Sequence, residues 1–285
     1  MPIGGVLTAM VTPFDADGRV DEAGAVRLMR HLLENGSDGL VLAGTTGESA
    51  TLSDAEKERL WQLAVEEVGE DAFLVAGTGS NDTAHSAHLT RRAAEIGVDA
   101  ALVVTPYYNK PNRRGLVAHF TAVAQAAPEL RIVLYNIPSR CVIDLDNELL
   151  TELAATIPNV SAVKQARYED VAPIEGMDLL AGNDDMLARV LDVGGTAGIL
   201  VSSHIVGREM RRMIDEPDTR QELHDELADV FKAMFVTSSP TPVKAALDML
   251  GLPAGTLRLP MVEASEEEKA VIRGALERHG LLSAV

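Results

Sequence analysis

The sequence contains few aromatic residues, one cysteine and no long hydrophobic run, and each shortage excludes a class of protein. Aromatic residues make up 4% of the 285 residues, so the core must be built from Ala, Val, Leu and Ile. The single cysteine, Cys141, excludes a disulfide framework within the chain and a metal site made of several thiolates. The longest apolar runs, such as residues 100–104, fall far short of the roughly 20 residues that cross a membrane.

Positive charge is also scarce. The chain carries 25 Lys and Arg against 43 Asp and Glu, which gives a formal net charge of −18. Nucleic acids and anionic membrane surfaces bind proteins that present a basic surface, so neither is expected as a partner. The first residues lack the basic segment of a secretory signal. Together with the single cysteine, these features predict a soluble cytoplasmic protein.

Short apolar runs rich in β-branched residues recur along the first part of the chain. Each run is continuous rather than alternating, which is typical of parallel strands buried on both faces. The predicted strands are 6–11, 39–43, 73–76, 100–104, 131–135, 161–164, 179–182 and 198–201. We expect each to be followed by a helix or helical turn, as after Ser53, where Glu56 completes a capping box. Eight such units favour a closed (β/α)8 TIM barrel over an open doubly wound sheet.

The pattern changes after residue 203, where only helical patterns follow. The predicted helices are 206–215, 218–238, 241–250 and 265–280. We therefore divide the chain into a (β/α)8 barrel with the active site at 1–219 and a C-terminal helical region at 220–285. Because barrel enzymes act at the carboxyl ends of their strands, the candidate residues lie in the short loops that follow each strand.

Lys164 is the most informative candidate, because it is the one lysine of six that lies within a predicted strand. A lysine that points into a barrel core is costly to bury unless its charge is paired or lost. Loss of the charge lowers the pKa of the amine and frees a nucleophile for Schiff-base formation with a carbonyl substrate. The alternative is a lysine at the strand end that reaches solvent or pairs with an acid.

Polar residues on neighbouring loops could complete such a site. The hydroxyl of Tyr135, at the end of the preceding strand, would emerge beside the Lys164 amine and could relay protons; its ring could equally be a core residue. The backbone amides of the turn at Thr45 and Thr46 could hold a carboxylate. Arg140 could hold a second carboxylate bidentately, although alone it reads as a surface arginine.

Candidates for metals and nucleotides are weaker. His85 and His88 lie three apart on a predicted helix, and no third ligand clearly completes a site. Asp184 and Asp185 could bind magnesium, but helix capping explains them as well. Gly77-Thr78-Gly79 lacks the third glycine of a dinucleotide-binding motif. We therefore expect no metal and no separate cofactor.

Four features occur in a recognisable order and spacing. Residues 44–49 read GTTGES, 104–109 read VTPYYN, 134–140 read LYNIPSR, and Lys164 follows. In this order they resemble the dihydrodipicolinate synthase and N-acetylneuraminate lyase superfamily, in which a lysine at this position forms the Schiff base. The resemblance runs from about residue 5 to 282. Two further segments of the C-terminal region resemble the dihydrodipicolinate synthase branch: PVKAA at 242–246 and LRLP at 257–260.

The resemblance implies a TIM barrel and a reaction without a cofactor beyond a covalent imine between pyruvate and Lys164. The derived enamine would attack the aldehyde of aspartate semialdehyde, a step of lysine and diaminopimelate biosynthesis. Thr46, Tyr135 and Tyr108 match the proton-relay triad of the family. The equivalent of Tyr108 enters the site of a neighbouring subunit, which implies a homo-oligomer, usually a tetramer built as a dimer of dimers.

The resemblance also implies a set of substrate contacts. Thr45 and Thr46 match the positions that hold the carboxylate of pyruvate. Arg140 matches the arginine that receives the carboxylate of the semialdehyde. Gly182 and the backbone near Leu200 match the wall of the pocket.

Two departures from the family pattern concern the pocket. Gln165 stands where the family commonly has Glu, and the residues after Arg140 are Cys141-Val142 instead of Thr-Gly. The first change could alter the charge of the pocket, and the second could reshape the loop that carries Arg140. The identity of the aldehyde is therefore less fixed than the imine chemistry.

A third departure concerns feedback inhibition. Some family members bind lysine through Asn and Glu on the third helix and His on the second. Asn81 is retained here, but His85 occupies the acidic position, and Asp54 and Lys57 occupy the histidine positions. Cations at a site for a cationic ligand predict weak or absent inhibition by lysine.

Two other functions stay open at this level. The first is a related class I aldolase that acts on a 2-keto-3-deoxy sugar acid or sialic acid. Arg140 favours the shorter substrate with its own carboxylate, because a polyol tail requires hydroxyl and amide partners. The second is a catalytically silent sensor of keto acids, which the retention of Lys164, Tyr135, Tyr108 and Thr46 disfavours.

Overall fold

The computed structural model describes residues 3–283 and contains a closed barrel of parallel strands. The strands follow one another in chain order around the barrel, and the last pairs with the first from Gly5 to Thr8. They are β1 (Gly5–Ala9), β2 (Gly39–Leu42), β3 (Phe73–Gly77), β4 (Ala100–Val104), β5 (Arg131–Asn136), β6 (Val160–Gln165), β7 (Asp178–Ala181) and β8 (Ala197–Leu200). The predicted (β/α)8 barrel is confirmed, and closure of the sheet excludes the open alternative.

Helices surround the barrel and continue beyond it. They are α1 (Glu22–Glu34), α2 (Asp54–Val68), α3 (Thr83–Ile96), α4 (Arg113–Gln125), α5 (Pro138–Cys141), α6 (Asn147–Thr156), α7 (Leu187–Asp192), α8 (Ser203–Asp215), α9 (Arg220–Ala233), α10 (Thr241–Met249) and α11 (Glu266–Arg278). Among residues 3–283, no helix is both long and apolar enough to cross a membrane.

Local sequence signals account for several helix ends. Ser53 begins α2 with a capping box in which Glu56 bonds back to the backbone of Ser53. The carboxylate of Asp82 caps α3, and Gly97 ends that helix in the left-handed conformation. Asn183, which occupies a similar starting position in the sequence, makes no side-chain cap.

The alternation of strand and helix fails once, after β6. Residues 166–177 contain two hydrogen-bonded turns and no helix before β7 begins. The prediction of a helix or helical turn after every strand is therefore wrong at this position. The segment holds the glycine-containing turn at Gly176, whose φ of +79° is incompatible with a helix, and Pro173, which lacks the backbone donor a helix needs. Two turns are sufficient to return the chain to the start of β7.

The core has two layers that the strands separate. Side chains on the inner face of the barrel form one cluster, which includes Leu7, Val41, Val133 and Tyr135. Side chains on the outer face pack against the helices in a larger cluster. Because successive residues of a strand point to opposite faces, position along each strand decides which side chains face the interior of the barrel.

The C-terminal helices pack on the barrel rather than on one another alone. Helix α9 packs on α8 and α7, α10 contacts α8, and α11 packs on α9 and α10. The division of the chain at residue 219 stays a prediction, because these contacts are continuous across it.

Candidate active site

Lys164 lies within β6 with its side chain buried inside the barrel. It is in register with Tyr135 on β5 and Leu180 on β7, and it is 6% exposed. The Nζ atom lies 4.1 Å from the centroid of the Tyr135 ring. Burial lowers the pKa of the amine to about 7, a shift that the Asp184 carboxylate opposes and the Arg140 guanidinium reinforces. A substantial fraction of the amine is therefore neutral, and nucleophilic, at neutral pH.

Tyr135 is the immediate neighbour of this amine, as expected from the order of the strands. Burial raises the pKa of its hydroxyl, while the charge of Arg140 and hydrogen bonding to Thr45 act in the opposite direction. The hydroxyl therefore stays protonated at neutral pH and can donate a proton. Thr46 is buried, at 5% exposed, on the same turn as Thr45, and the relay role given to it stays a prediction.

The turn that carries both threonines is bounded by strained backbone. Ala43 and Glu48 both have positive φ, +53° and +56°, which L-residues rarely adopt. The Thr12 hydroxyl donates to the carbonyl of Gly47 and fixes the far end of the turn at 2.7 Å. Gly77 on β3 has no room for a side chain here, because a Cβ atom would lie 2.2 Å from the carbonyl oxygen of Ala43. Close packing thus holds the start of the turn against the end of β3.

A cavity of about 460 Å³ opens beside these residues. Thr45, Ile137, Arg140 and Cys141 line it, together with Tyr107. Ile137 and Cys141 also belong to the inner cluster that contains Tyr135, so the cavity and the buried pair adjoin. Arg140 is exposed on α5, which places a cation at the cavity without burying it. Lys164 and Tyr135 lie behind this lining, so the region combines a partly neutral amine, a protonated hydroxyl and a guanidinium.

Cys141 lines the cavity as an inert thiol. It is 2% exposed, and burial raises the pKa of the thiol to about 11. A thiol with this pKa is protonated at neutral pH and is a poor nucleophile. The change to Cys at this position thus affects the shape of the pocket more than its reactivity.

Tyr108 does not reach the cavity of its own chain. Its side chain is 89% exposed and its backbone has a φ of +75°. Tyr107 lines the cavity in its place. An aromatic residue held in the left-handed region and directed into solvent is unusual for an isolated chain, and its placement is compatible with insertion into another subunit.

Gly182 and Leu200 border the barrel interior through their backbones. The amide of Gly182 donates to the carbonyl of Gln165 at 2.8 Å, and a Cβ atom at Gly182 would lie 2.7 Å from that carbonyl oxygen. The side chain of Leu200 packs in the outer cluster, so only its backbone is available to the pocket. Their roles as a pocket wall stay predictions.

Asp184 is the functional candidate that the sequence indicated only as a magnesium ligand or a cap. It is 1% exposed and accepts hydrogen bonds from the amides of Val201 and Ser202 and from the Ser202 hydroxyl, at 2.8, 2.8 and 2.6 Å. It thus joins the ends of β7 and β8, and its charge acts on the Lys164 amine. The sequence signal that could have identified Asp184 is its position just after β7, two residues beyond Gly182.

Gln165 does not face the pocket. Its side chain accepts hydrogen bonds from Asn136 and from the amide of Arg167, both at 3.0 Å, in a buried network on the outer side of the strands. Because Lys164 points inward, its neighbour must point outward. The amide therefore acts directly on this outer network, and its effect on the charge of the pocket stays a prediction.

The two histidines considered as metal ligands do not form a metal site. His85 Nε2 lies 2.9 Å from Asp54 Oδ1, across the α2–α3 contact. Within residues 3–283, no group of three or more His, Cys, Asp or Glu side chains is arranged to hold a metal ion.

Comparison with known proteins agrees with this geometry. Residues 2–279 match the model of the dihydrodipicolinate synthetase family. The chain is 46% identical to the 4-hydroxy-tetrahydrodipicolinate synthase of Moorella thermoacetica, over 99% of this chain and 100% of the relative, and 42% identical to that of a Cyanothece strain, over 98% and 99%.

Solved structures give the same result. The dihydrodipicolinate synthase of Cyanidioschyzon merolae, solved with lysine bound, superposes with a TM-score of 0.94 at 39% identity, covering 98% of this chain and 99% of the other. The synthase of Acinetobacter baumannii, solved with pyruvate, gives a TM-score of 0.93 at 34% identity, over 98% and 100%. By sequence and by structure, this chain belongs to the dihydrodipicolinate synthetase family.

Proposed function

We propose that this enzyme condenses pyruvate with L-aspartate 4-semialdehyde to 4-hydroxy-tetrahydrodipicolinate, through an imine on Lys164. The relatives that it matches over nearly their full length carry the name of this synthase, a lyase of lysine and diaminopimelate biosynthesis. The observation that carries the proposal is the buried Lys164 amine, with its pKa of about 7, beside Tyr135.

The first half of the reaction activates pyruvate. The carboxylate binds at the turn of Thr45 and Thr46, where backbone amides and hydroxyls replace its water shell. The neutral Lys164 amine adds to the C2 carbonyl, and the carbonyl oxygen leaves as water after it receives protons through Tyr135. Loss of a proton from C3 then gives the enamine.

The second half uses the aldehyde. Arg140 holds the carboxylate of the semialdehyde at the cavity mouth. The enamine carbon attacks the aldehyde carbon, and the aldehyde oxygen takes a proton and becomes a hydroxyl. The amino group of the new adduct attacks C2 of the imine, closes the ring and displaces Lys164, which is free for the next turnover.

The oligomer is part of the proposal. Tyr108 is directed away from its own cavity and completes the proton relay of a neighbouring subunit, so the active unit is at least a dimer and we propose a tetramer built from two dimers. The reaction needs no cofactor beyond the imine. On the sequence grounds given above, we place the enzyme in the cytoplasm.

Two measurements test the proposal. Incubation with pyruvate and borohydride should leave a reduced adduct on Lys164, found by mass spectrometry of the digested protein. Absence of this adduct overturns the imine mechanism and leaves the keto-acid sensor.

A coupled assay then compares aspartate semialdehyde with aldehydes derived from 2-keto-3-deoxy sugar acids and sialic acid. We expect kcat/KM to be highest for the semialdehyde. The substrate assignment fails if a sugar aldehyde is preferred, while the imine mechanism stands.

A further inference from the structure

The side chain of Glu48 is held by the C-terminal helical region. Glu48 follows directly after the turn that carries Thr45 and Thr46, and its side chain is 2% exposed. Its Oε1 lies 2.7 Å from Nζ of Lys244 on α10, and its Oε2 accepts a hydrogen bond from the amide of Arg258 at 3.0 Å. The catalytic turn is thereby joined to residues some 200 positions later in the chain.

The backbone of Glu48 adds a second argument. It adopts the left-handed conformation, with a φ of +56°, which glycine or asparagine adopts at lower cost. A glutamate in this conformation is expected only where its side chain is needed. The same residue also begins the short 3-10 helix Ser49–Thr51, because its carbonyl accepts from the amide and the hydroxyl of Thr51. Displacement of Glu48 would therefore move both the turn of Thr45 and Thr46 before it and the 3-10 helix after it.

Lys244 is fully engaged in this contact. Its side chain is 3% exposed, and Nζ donates to the carbonyl of Thr256 at 2.7 Å as well as contacting Glu48. Nζ also lies 4.4 Å from the centroid of the Phe14 ring, and the Arg258 guanidinium lies 4.3 Å from the same centroid. The buried carboxylate of Glu48 thus meets one ammonium, and the same aromatic ring contacts both cations.

Arg258 joins the same segment at a second point. Its guanidinium donates to the carbonyl of Thr51 and to that of Gly18, both at 2.8 Å, and it forms an ion pair with Glu56 at the start of α2. The segment 48–56 is therefore fastened at its beginning by the Glu48 contacts and further along by the guanidinium. We call Glu48, Lys244 and Arg258 the Glu48 junction.

We propose that Glu48 is a positioning residue, and that the Glu48 junction uses the C-terminal helical region to fix the turn of Thr45 and Thr46 for binding of the pyruvate carboxylate. The inference rests on the proposed function, because it assigns that turn to pyruvate. A buried ion pair is a weak source of stability, since desolvation offsets most of the attraction, and in some proteins its role is to select one arrangement. The ion pair of Glu48 with Lys244 is placed to act on the turn and not on the substrate.

The test measures imine formation with pyruvate and compares it with the response to the aldehyde. In the full-length protein, the concentration of pyruvate that gives half-maximal borohydride trapping on Lys164 is determined for Glu48→Gln and Lys244→Met. Both substitutions keep the approximate shape and remove one charge. We expect this concentration to rise about tenfold to a hundredfold, because small displacements of binding groups have effects of that order. The KM for the aldehyde, which binds at Arg140, should change by less than about threefold, the range of substitutions that do not touch a binding group.

The double variant Glu48→Gln/Lys244→Met keeps the proposal testable if a single variant fails to fold. It leaves no unpaired buried charge, so its melting temperature should recover. Its half-saturating pyruvate concentration should stay raised, because a thioether in place of the Lys244 ammonium cannot hold the side chain at position 48. Recovery of both quantities to the wild-type values would mean that the ion pair serves folding only, and would overturn the proposal.

Asp229→Asn is the matched control. Asp229 bonds His279 and Arg278 inside the C-terminal region and does not touch the turn. The Asp229→Asn variant should have a lower melting temperature and an unchanged half-saturating pyruvate concentration. A rise of this concentration as large as in the Glu48 variant would overturn the proposal. If the wild-type protein gives no pyruvate adduct, the proposed function fails; if it does and the Glu48 variants match it, only the positioning role fails.

Discussion

Two buried lysines in this chain have opposite surroundings. Lys164 lies inside the barrel beside the Tyr135 ring, while Lys244 lies between the barrel and the C-terminal helices with its ammonium against Glu48. Burial lowers the pKa of both amines, but Glu48 counteracts the shift at Lys244 by direct contact. Asp184 acts on Lys164 while its oxygens are occupied by two amides and a hydroxyl. Burial thus acts on both amines in the same direction, and the difference between them lies in the contact partner: an aromatic ring beside Lys164 and a carboxylate beside Lys244.

The largest expected effects come from removing each amine in turn: loss of the Lys164 amine should lower activity, and loss of the Lys244 amine should lower stability. Lys164→Met should lower kcat by a factor on the order of 10⁴ or more, as for other nucleophiles, with an unchanged or higher melting temperature. Lys244→Met should lower the free energy of unfolding by about 3–5 kcal/mol, because it leaves Glu48 buried without its cation. Steady-state kinetics and thermal unfolding measure the two effects. Lys232→Met, on an exposed lysine, is the control for both, and a stability loss in the Lys164 variant as large as that in the Lys244 variant would contradict the comparison.

Tyr135 distinguishes the neighbourhood of Lys164 chemically. Tyr135→Phe keeps the ring against the amine and removes the hydroxyl that donates protons. We expect kcat to fall about 10²–10⁴-fold, the usual contribution of a positioned acid or base, with small changes in stability. Tyr168→Phe removes the hydroxyl of an exposed tyrosine and should leave kcat unchanged. Equal losses in the two variants would exclude a specific role for Tyr135.

The pKa of Lys164 can be read from the pH dependence of imine formation. Only the neutral amine attacks, so the rate of borohydride trapping should rise with pH, reach half its maximum near the pKa of about 7, and level off above it. Below that pKa, each lower pH unit removes about nine-tenths of the remaining neutral amine. A midpoint near the ordinary lysine value of 10.5 would show that burial does not activate this amine.

A third lysine, Lys57, extends the comparison of buried lysines, and here we expect the smallest effect, on inhibition by free lysine. Its Nζ lies 3.8 Å from Asp54, which also contacts His85. The one carboxylate of this group is already shared by two basic side chains, so a lysine ligand finds no free acid among them. We expect weak or absent inhibition when activity is titrated with lysine at constant pH, and inhibition at micromolar lysine would disprove it.

The pattern of the sequence was sufficient for the barrel because the signal of a buried parallel strand is local. Strand β4 was predicted with the observed limits, Ala100–Val104, and the others within about two residues. The failure at residues 166–177 has a different origin. A regular repeat predicts that every strand is followed by a helix. Between β6 and β7, however, a short connection made of turns is sufficient to bring the chain back to the next strand.

The site was predictable where a residue's own strand position decided its direction. Lys164 and Tyr135 were placed together because neighbouring strands pair in register. Strand alternation also places Gln165 on the face opposite Lys164, but its bonds to Asn136 and Arg167 could not be predicted, because they depend on how the neighbouring strand and the following loop pack. The pairing of Glu48 with Lys244 was not foreseen at all, because nothing local links residues so far apart.

The sequence by itself determined the barrel, the candidate lysine and the family, since alternation of elements and spaced motifs are properties of the chain order. Tertiary structure decided that the pKa of Lys164 is lowered, which groups Gln165 bonds, and how Glu48 is held. The first depends on burial, and the other two depend on contacts between segments that are distant in the chain. The scarcity of positive charge is resolved in the same way, because the basic side chains that matter, those of Lys164, Lys244 and Arg140, are each placed by the fold.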